Sequence, residues 1–297
     1  MSIALHICSR RRGPDERRFR VRWTVMLSAA ATMAMVVLPC LADEQEVATA
    51  SLLMEKGQYP EAIKALGKAV ERQGDDASPA ELRMLGENYY QLKDFGNART
   101  YYARALPRQT SQKATIICES RLAIIDYRLG DMSGAGERIA NFIRNYPTDD
   151  RVGPLSVIRI RILQNSALPP AEKIRKMQDE YDRMIVDKEK CGYYNVVLAA
   201  QSLGDQYIEV GEEQKAAALF VSAVHQMRSL VVDEKKAKRD PSPELLQGVD
   251  GMALQLAKLY MGRKDWAEAQ KWLENVTYVE DMVAQAKYLL AQIYYRN

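Results

Sequence analysis

The side chains able to do chemistry are few in this chain, and their spacing is poor. Only His6 and His225 occur among 297 residues. A two-histidine metal site or an H-E-x-x-H helix needs both on one face, and His6 stands in an arginine-rich N-terminal leader. Cys118 and His225 could in principle act as thiol and base, but nothing local activates the cysteine, and both occupy helical positions that read as packing. The carboxylate pairs Glu212-Glu213 and Asp149-Asp150 lie at turns beside helix starts, where the helix dipole favours acids. General acid–base work needs opposed, enclosed carboxylates instead. No G-x-S-x-G elbow and no G-x-x-x-x-G-K-[ST] phosphate loop is present: Leu66-Gly67-Lys68 lacks the upstream glycine, and Gly134 and Gly136 of "SGAGER" sit in a turn, not after a strand. The expectation is a chain without catalysis, cofactor or metal, whose work is recognition.

Charge narrows the partner. The formal charge is +3, but the first 42 residues hold seven arginines and two acids. Without them 35 basic and 37 acidic residues remain. A chain of net −2 is not a polybasic nucleic-acid binder, so protein partners are expected. The same 42 residues have the order of a secretory signal: Arg10, Arg11, Arg12, Arg17, Arg18, Arg20 and Arg22, then an uncharged run from Trp23 to Ala42, then small residues before an acidic "DEQE". Cleavage after Ala42 is expected. The alternatives are an uncleaved anchor through residues 23–41 and lipidation at Cys40, whose preceding Pro39 fits a lipoprotein box poorly. The expected location is the periplasm or cell envelope, with inner-membrane anchoring as the alternative. Cys118 and Cys191 are then the remaining cysteines, read as buried free thiols.

The elements that must carry any binding residues repeat. "KGQYPEAIKALGKAV" from Lys56, "LKDFGNARTYYARAL" from Leu92, "LGDMSGAGERIANFI" from Leu129, "EVGEEQKAAALFVSAV" from Glu209 and "GRKDWAEAQKWLENV" from Gly262 share a polar turn, a small residue and helix-spaced apolar positions. The turn alanines are Ala62, Ala98, Ala135, Ala216 and Ala269, with Ala171 as a degenerate copy. A preceding helix recurs as Leu85-Gly86 with Tyr89, Leu203-Gly204 with Tyr207, Leu256-Ala257 with Tyr260 and Leu290-Ala291 with Tyr294. Small residues let two helices approach closely, and the tyrosines fill the space between neighbours. Arg159 stands where the fourth copy needs a glycine or alanine. "VDEKKAKRDPSPE" reads as a charged, proline-containing insertion.

In these phased copies the chain resembles the tetratricopeptide repeat family. The resemblance implies an all-α, right-handed superhelical solenoid of helix pairs. Its expected parts are a leader over 1–42, repeats one to five over 43–231 with the fourth degenerate, an insertion over 232–245, and a last repeat with a capping helix over 246–297. It also implies a scaffold or assembly factor whose first helices line a concave groove for partner segments. By position the groove residues are Arg83, Glu87 and Tyr90; Ser120, Tyr127 and Arg128; Gln201, Asp205 and Glu209; and Gln285, Tyr288, Tyr295 and Arg296. Arg83, Glu87, Ser120 and Ile124 do not reproduce the family's Lys/Asn carboxylate clamp. "NFIRNYP" resembles envelope repeat proteins of outer-membrane assembly and Tol–Pal kind, which adds a membrane-anchored subunit as an alternative. A module binding glycan or peptidoglycan through exposed aromatics is another.

Overall fold

The computed structural model describes residues 44–296. The leader and its cleavage site lie outside the described residues. Helices are α1 (44–55), α2 (Tyr59–Gln73), α3 (Pro79–Gln91), α4 (Phe95–Ala105), α5 (Gln112–Arg128), α6 (Met132–Asn145) and α7 (Val152–Gln164). They continue as α8 (Pro170–Val186), the single turn α9 (Lys188–Cys191), α10 (Tyr193–Glu209), α11 (Glu213–Lys236), α12 (Pro243–Gly262), α13 (Trp266–Glu274) and α14 (Glu280–Arg296). The fold is all-α, and no strand occurs among the described residues. None of the described helices is long and apolar enough to cross a membrane. The chain divides into two compact units, one ending at Ala105 and the other starting at Leu106.

The first unit shows how a helix pair is built. Ser78 caps α3: its hydroxyl accepts from the Glu81 N–H at 3.2 Å while the Glu81 carboxylate accepts from the Ser78 N–H at 2.8 Å. Pro79 then enters the first turn, where no N–H is needed. The turn to α4 passes through Lys93 at φ 63°, and Asp94 accepts from the Asn97 N–H at 3.1 Å. Gly86 and Tyr102 then meet face to face. A Cβ on Gly86 would lie 2.9 Å from Cδ2 of Tyr102, whose side chain is fully buried. Ala50 and Leu66 are buried at the same two positions of the α1–α2 pair.

This arrangement is a fixed ruler. In each regular pair the small residue precedes the turn alanine by twelve residues and a large buried residue by sixteen: Ala50, Ala62 and Leu66, then Gly86, Ala98 and Tyr102. In the second unit the sets are Ala123, Ala135 and Ile139, then Gly204, Ala216 and Phe220, then Ala257, Ala269 and Leu273, all buried. Five residues before each turn alanine the backbone enters the left-handed region, at Gly57, Lys93, Gly130, Gly211 and Lys264. That residue ends the first helix and lets the second fold back on it.

The α7–α8 pair keeps the interval and loses the contact. Arg159 stands in the small-residue place, twelve before Ala171, and the residue sixteen on is the exposed Arg175. Ser166 replaces the left-handed turn residue. Met177, Tyr181 and Met184 supply the apolar packing, and Arg159 donates at 2.8 Å to the buried Glu180, which also pairs with Arg183. The degenerate copy is thus a helix pair joined partly by charge.

Two expectations change. The insertion expected over 232–245 is helical at both ends: α11 runs to Lys236, α12 starts at Pro243 and only 237–242 connect them. Buried Val231 holds the helix, charged residues are good helix formers, and Pro241 forces Asp240 out of the helical region. The packing role expected of Tyr294 and Ala291 also fails. Both are exposed, Tyr294 by 61%, because no described helix follows α14 to cover them. Ala286 and Ile293 fasten that helix instead.

Asp250, fully buried on α12, supplies the other fastening. Its carboxylate accepts from the backbone N–H groups of Thr277, Tyr278 and Val279 at 3.0, 2.7 and 2.7 Å. These amides lead into α14, so one side chain sets where that helix begins.

Candidate functional site

The residues placed on the first-helix face by their spacing do not form one site. In the first unit Glu87 is already engaged: it accepts from the hydroxyl of buried Tyr102 and, at 2.7 Å, from Gln91 Nε2. Tyr90 sits edge-on to Phe95 at 5.7 Å between ring centres, and Arg83 is partly buried. The tyrosine pair splits, since Tyr89 stacks on Tyr101 at 5.4 Å with the rings nearly parallel.

Among α5 residues, Ser120 is corrected. It is 2% exposed and its hydroxyl donates to the Ile117 carbonyl at 3.0 Å, so it cannot meet a partner. The helix face three residues before Ala123 turns into the core of the second unit. Tyr127 is partly buried and Arg128 exposed. On α14, Gln285, Tyr288, Tyr295 and Arg296 are all exposed, Tyr295 by 94%, and the Arg296 guanidinium lies over the Trp266 ring. On α10, Gln201 is partly buried, and Glu209 accepts from Gln206 Nε2 at 2.7 Å.

Asp205 is the expected residue that the fold builds into a cleft. The space holds about 350 Å³ between α10 and α12, over the edge of α11. Ile208 joins Asp205 from α10, and Gln255, Lys258 and Leu259 come from α12. Asp205 and Lys258 occupy the same place in their repeats, one residue after Gly204 and Ala257. Lys258 was therefore legible from the repeat phase alone, whereas Gln255 aligns with buried Ser202 and had no such signal. Burial pushes the Asp205 carboxyl above the ordinary aspartate range. Neither Asp205 nor Lys258 has a hydrogen bond or ion pair, and the Gln255 Oε1 is buried without a partner. A buried acceptor in that condition carries an unrecovered desolvation cost of about 1–3 kcal/mol.

A second cleft of about 550 Å³ opens between α6, α7 and α8. It lies where the small-to-large contact of the fourth copy is missing, beside the Arg159–Glu180 pair. Its charges are mutually satisfied: Lys176 pairs with Glu172 at 2.9 Å, and Arg159 with Glu180. His225 is exposed on α11 near the Trp272 ring, at 6.4 Å between centres, so the packing place expected for it is not what the helix gives it. Cys118 and Cys191 are both buried, and the Cys118 sulfur accepts from Gln109 Nε2 at 3.7 Å. Burial raises the Cys191 thiol, against a lowering influence from nearby Arg183. No group of three or more His, Cys, Asp or Glu among the described residues is placed to hold a metal ion.

Paired helices, constant intervals and left-handed turns define a helical-repeat protein. The tetratricopeptide repeat family model matches residues 47–114. A sequence search of curated proteins finds no match. Among solved structures the chain is similar to "MamA 41-end from Desulfovibrio magneticus RS-1", at 18% identity over 63% of this chain and 96% of that one, with a TM-score of 0.49. A tetratricopeptide repeat protein from Parabacteroides merdae ATCC 43184 is 14% identical over 85% and 99%, with a TM-score of 0.47. The "TPR2AB-domain:pHSP90-complex of yeast Sti1" is 16% identical over 85% and 97%, with a TM-score of 0.36. At such identities none of the three says what this chain binds. Tetratricopeptide repeats are in general non-catalytic scaffolds for protein–protein interaction.

Proposed function

We propose that this chain is a non-catalytic scaffold that holds partner proteins on the face formed by the first helices of its repeats. The α10–α12 cleft carries the reading. Two neighbouring first helices present an acid, a base and an amide oxygen with no partners of their own, beside apolar Ile208 and Leu259. Such a surface suits a polypeptide, which brings backbone N–H groups, charge and apolar side chains together.

A photo-crosslinker placed at Lys258 in the full chain tests this. It should capture a protein that also co-purifies with the unmodified chain, while one at Ser222 on α11 should not. Loss of that partner on Ile208→Arg is expected. Recovery of an unchanged set of partners by Ile208→Arg would reject the site.

The reading extends to location. The arginine-rich start, the apolar run and the "CLADEQE" junction support export to the bacterial envelope, where the scaffold would serve assembly. N-terminal sequencing of the mature protein should begin at Asp43, whereas an intact leader in the membrane fraction would establish anchoring instead.

A further inference from the structure

We propose that the α10–α12 cleft selects a partner segment carrying one lysine or arginine next to an aliphatic or aromatic residue, with the base on Asp205 and the apolar side chain against Ile208 and Leu259. The inference rests on the reading of the first-helix face as the partner-binding face, and it names the partner's chemistry.

Asp205 decides the charge. Its carboxylate is partly buried and has no partner, so it has lost hydration that nothing in the free protein returns. An incoming ammonium or guanidinium restores that loss, so the pair is stronger than one formed on an open surface. The raised carboxyl is the same lost hydration seen as a proton affinity. Lys258 faces the same cleft but is exposed and hydrated, so pairing it with an acid gains little. Glu213 also lines the cleft but pairs with Arg263 at 4.0 Å, so Lys258 limits the occupant: a second base beside the first meets its repulsion. A polybasic tail or a nucleic acid fits this surface badly for that reason.

The neutral contacts decide the shape. Ile208 is 38% exposed, which leaves its side chain open to an apolar neighbour of the base. Gln255 Oε1, buried and without a donor, can accept a backbone N–H of an extended segment. A cleft of about 350 Å³ holds two or so side chains, which matches a basic–apolar pair rather than a whole helix.

Selection from a phage-displayed library of random 12-residue peptides tests the idea, using the full chain as wild type, Asp205→Asn and Ile208→Arg, each checked for helix content by circular dichroism. Wild-type binders should be enriched in Lys or Arg beside Leu, Ile, Phe or Met. Their synthetic versions should weaken about tenfold or more on both variants. Binders that weaken on Ile208→Arg, lack the basic residue and bind Asp205→Asn within twofold would overturn the charge rule while leaving the cleft as a partner site. Binders unaffected by Ile208→Arg, or no binders at all, would overturn both.

Discussion

Gly204 on α10 lies so close to Phe220 on α11 that a Cβ there would stand 2.0 Å from the ring's Cε1. Phe220 is fully buried beneath the α10–α12 cleft, so a Cβ on Gly204 must displace the ring from its packed place. Gly204→Ala should therefore destabilise by about 1–3 kcal/mol. The equivalent Gly86→Ala should cost less, since the nearest Tyr102 atom is 2.9 Å away. Urea unfolding of both variants checks the order. Equal midpoints would mean that the two contacts are not the same device at two tightnesses.

Lys93 and Lys264 occupy left-handed turn positions that Gly57, Gly130 and Gly211 fill elsewhere. A side chain in that region costs about 1–2 kcal/mol, and glycine's greater freedom in the unfolded chain returns about half of it. Lys93→Gly and Lys264→Gly should each stabilise by about 0.5–1 kcal/mol, and Gly130→Lys should do the reverse. Thermal melts decide it. A fall in melting temperature for the lysine replacements would show that these side chains hold the turns by other contacts.

Asp250 holds three backbone N–H groups at the start of α14. Asp250→Ala removes the acceptor shared by all three and should cost about 2–4 kcal/mol. The loss should be local before it is global: amides of α14 should exchange with solvent faster than those of α5 or α10. Uniform acceleration across the second unit would argue that α14 does not open by itself.

The Asp205 carboxyl titrates above its ordinary range because burial penalises its charge. A folded-state pKa above the unfolded one means that the native protein binds the proton more tightly. Stability from this group is therefore greatest below the unfolded value of about 3.9 and falls as pH rises through the folded value. Asp205→Asn should raise the melting temperature at pH 7, and the advantage should shrink as pH is lowered through that window. An advantage that grows on acidification would reverse the assignment. A residue that weakens the free fold in this way fits one kept for binding.

The repeat phase made most of the fold legible, because glycine and alanine beside a fixed-distance aromatic or aliphatic residue is a packing requirement written one residue at a time. Helix α14, Glu280–Arg296, falls within the 246–297 span expected to hold the capping helix. Burial that depends on distant neighbours lay beyond the reach of that phase. Ser120 and Arg83 share a place in their repeats, yet the serine is enclosed and the arginine is not. Tyr294 carries the packing signature and stands in solvent, because the signature describes a partner helix that must also be there. Asp205 was legible as a surface position, but its lack of a partner and the orphaned Gln255 oxygen depend on how α12 lies against α10.

The constant twelve- and sixteen-residue intervals mean that all variation in repeat length is confined to the chain beyond the second helix's packing positions. The extended α8 with α9, and the lengthened α11 with its short link, hold the extra residues. Each hairpin is thus an interchangeable part and each junction an adjustable joint. A whole hairpin could be deleted, duplicated or exchanged with another copy without altering the internal fit of those that remain. The number and order of helix pairs could then be changed by recombination in whole units.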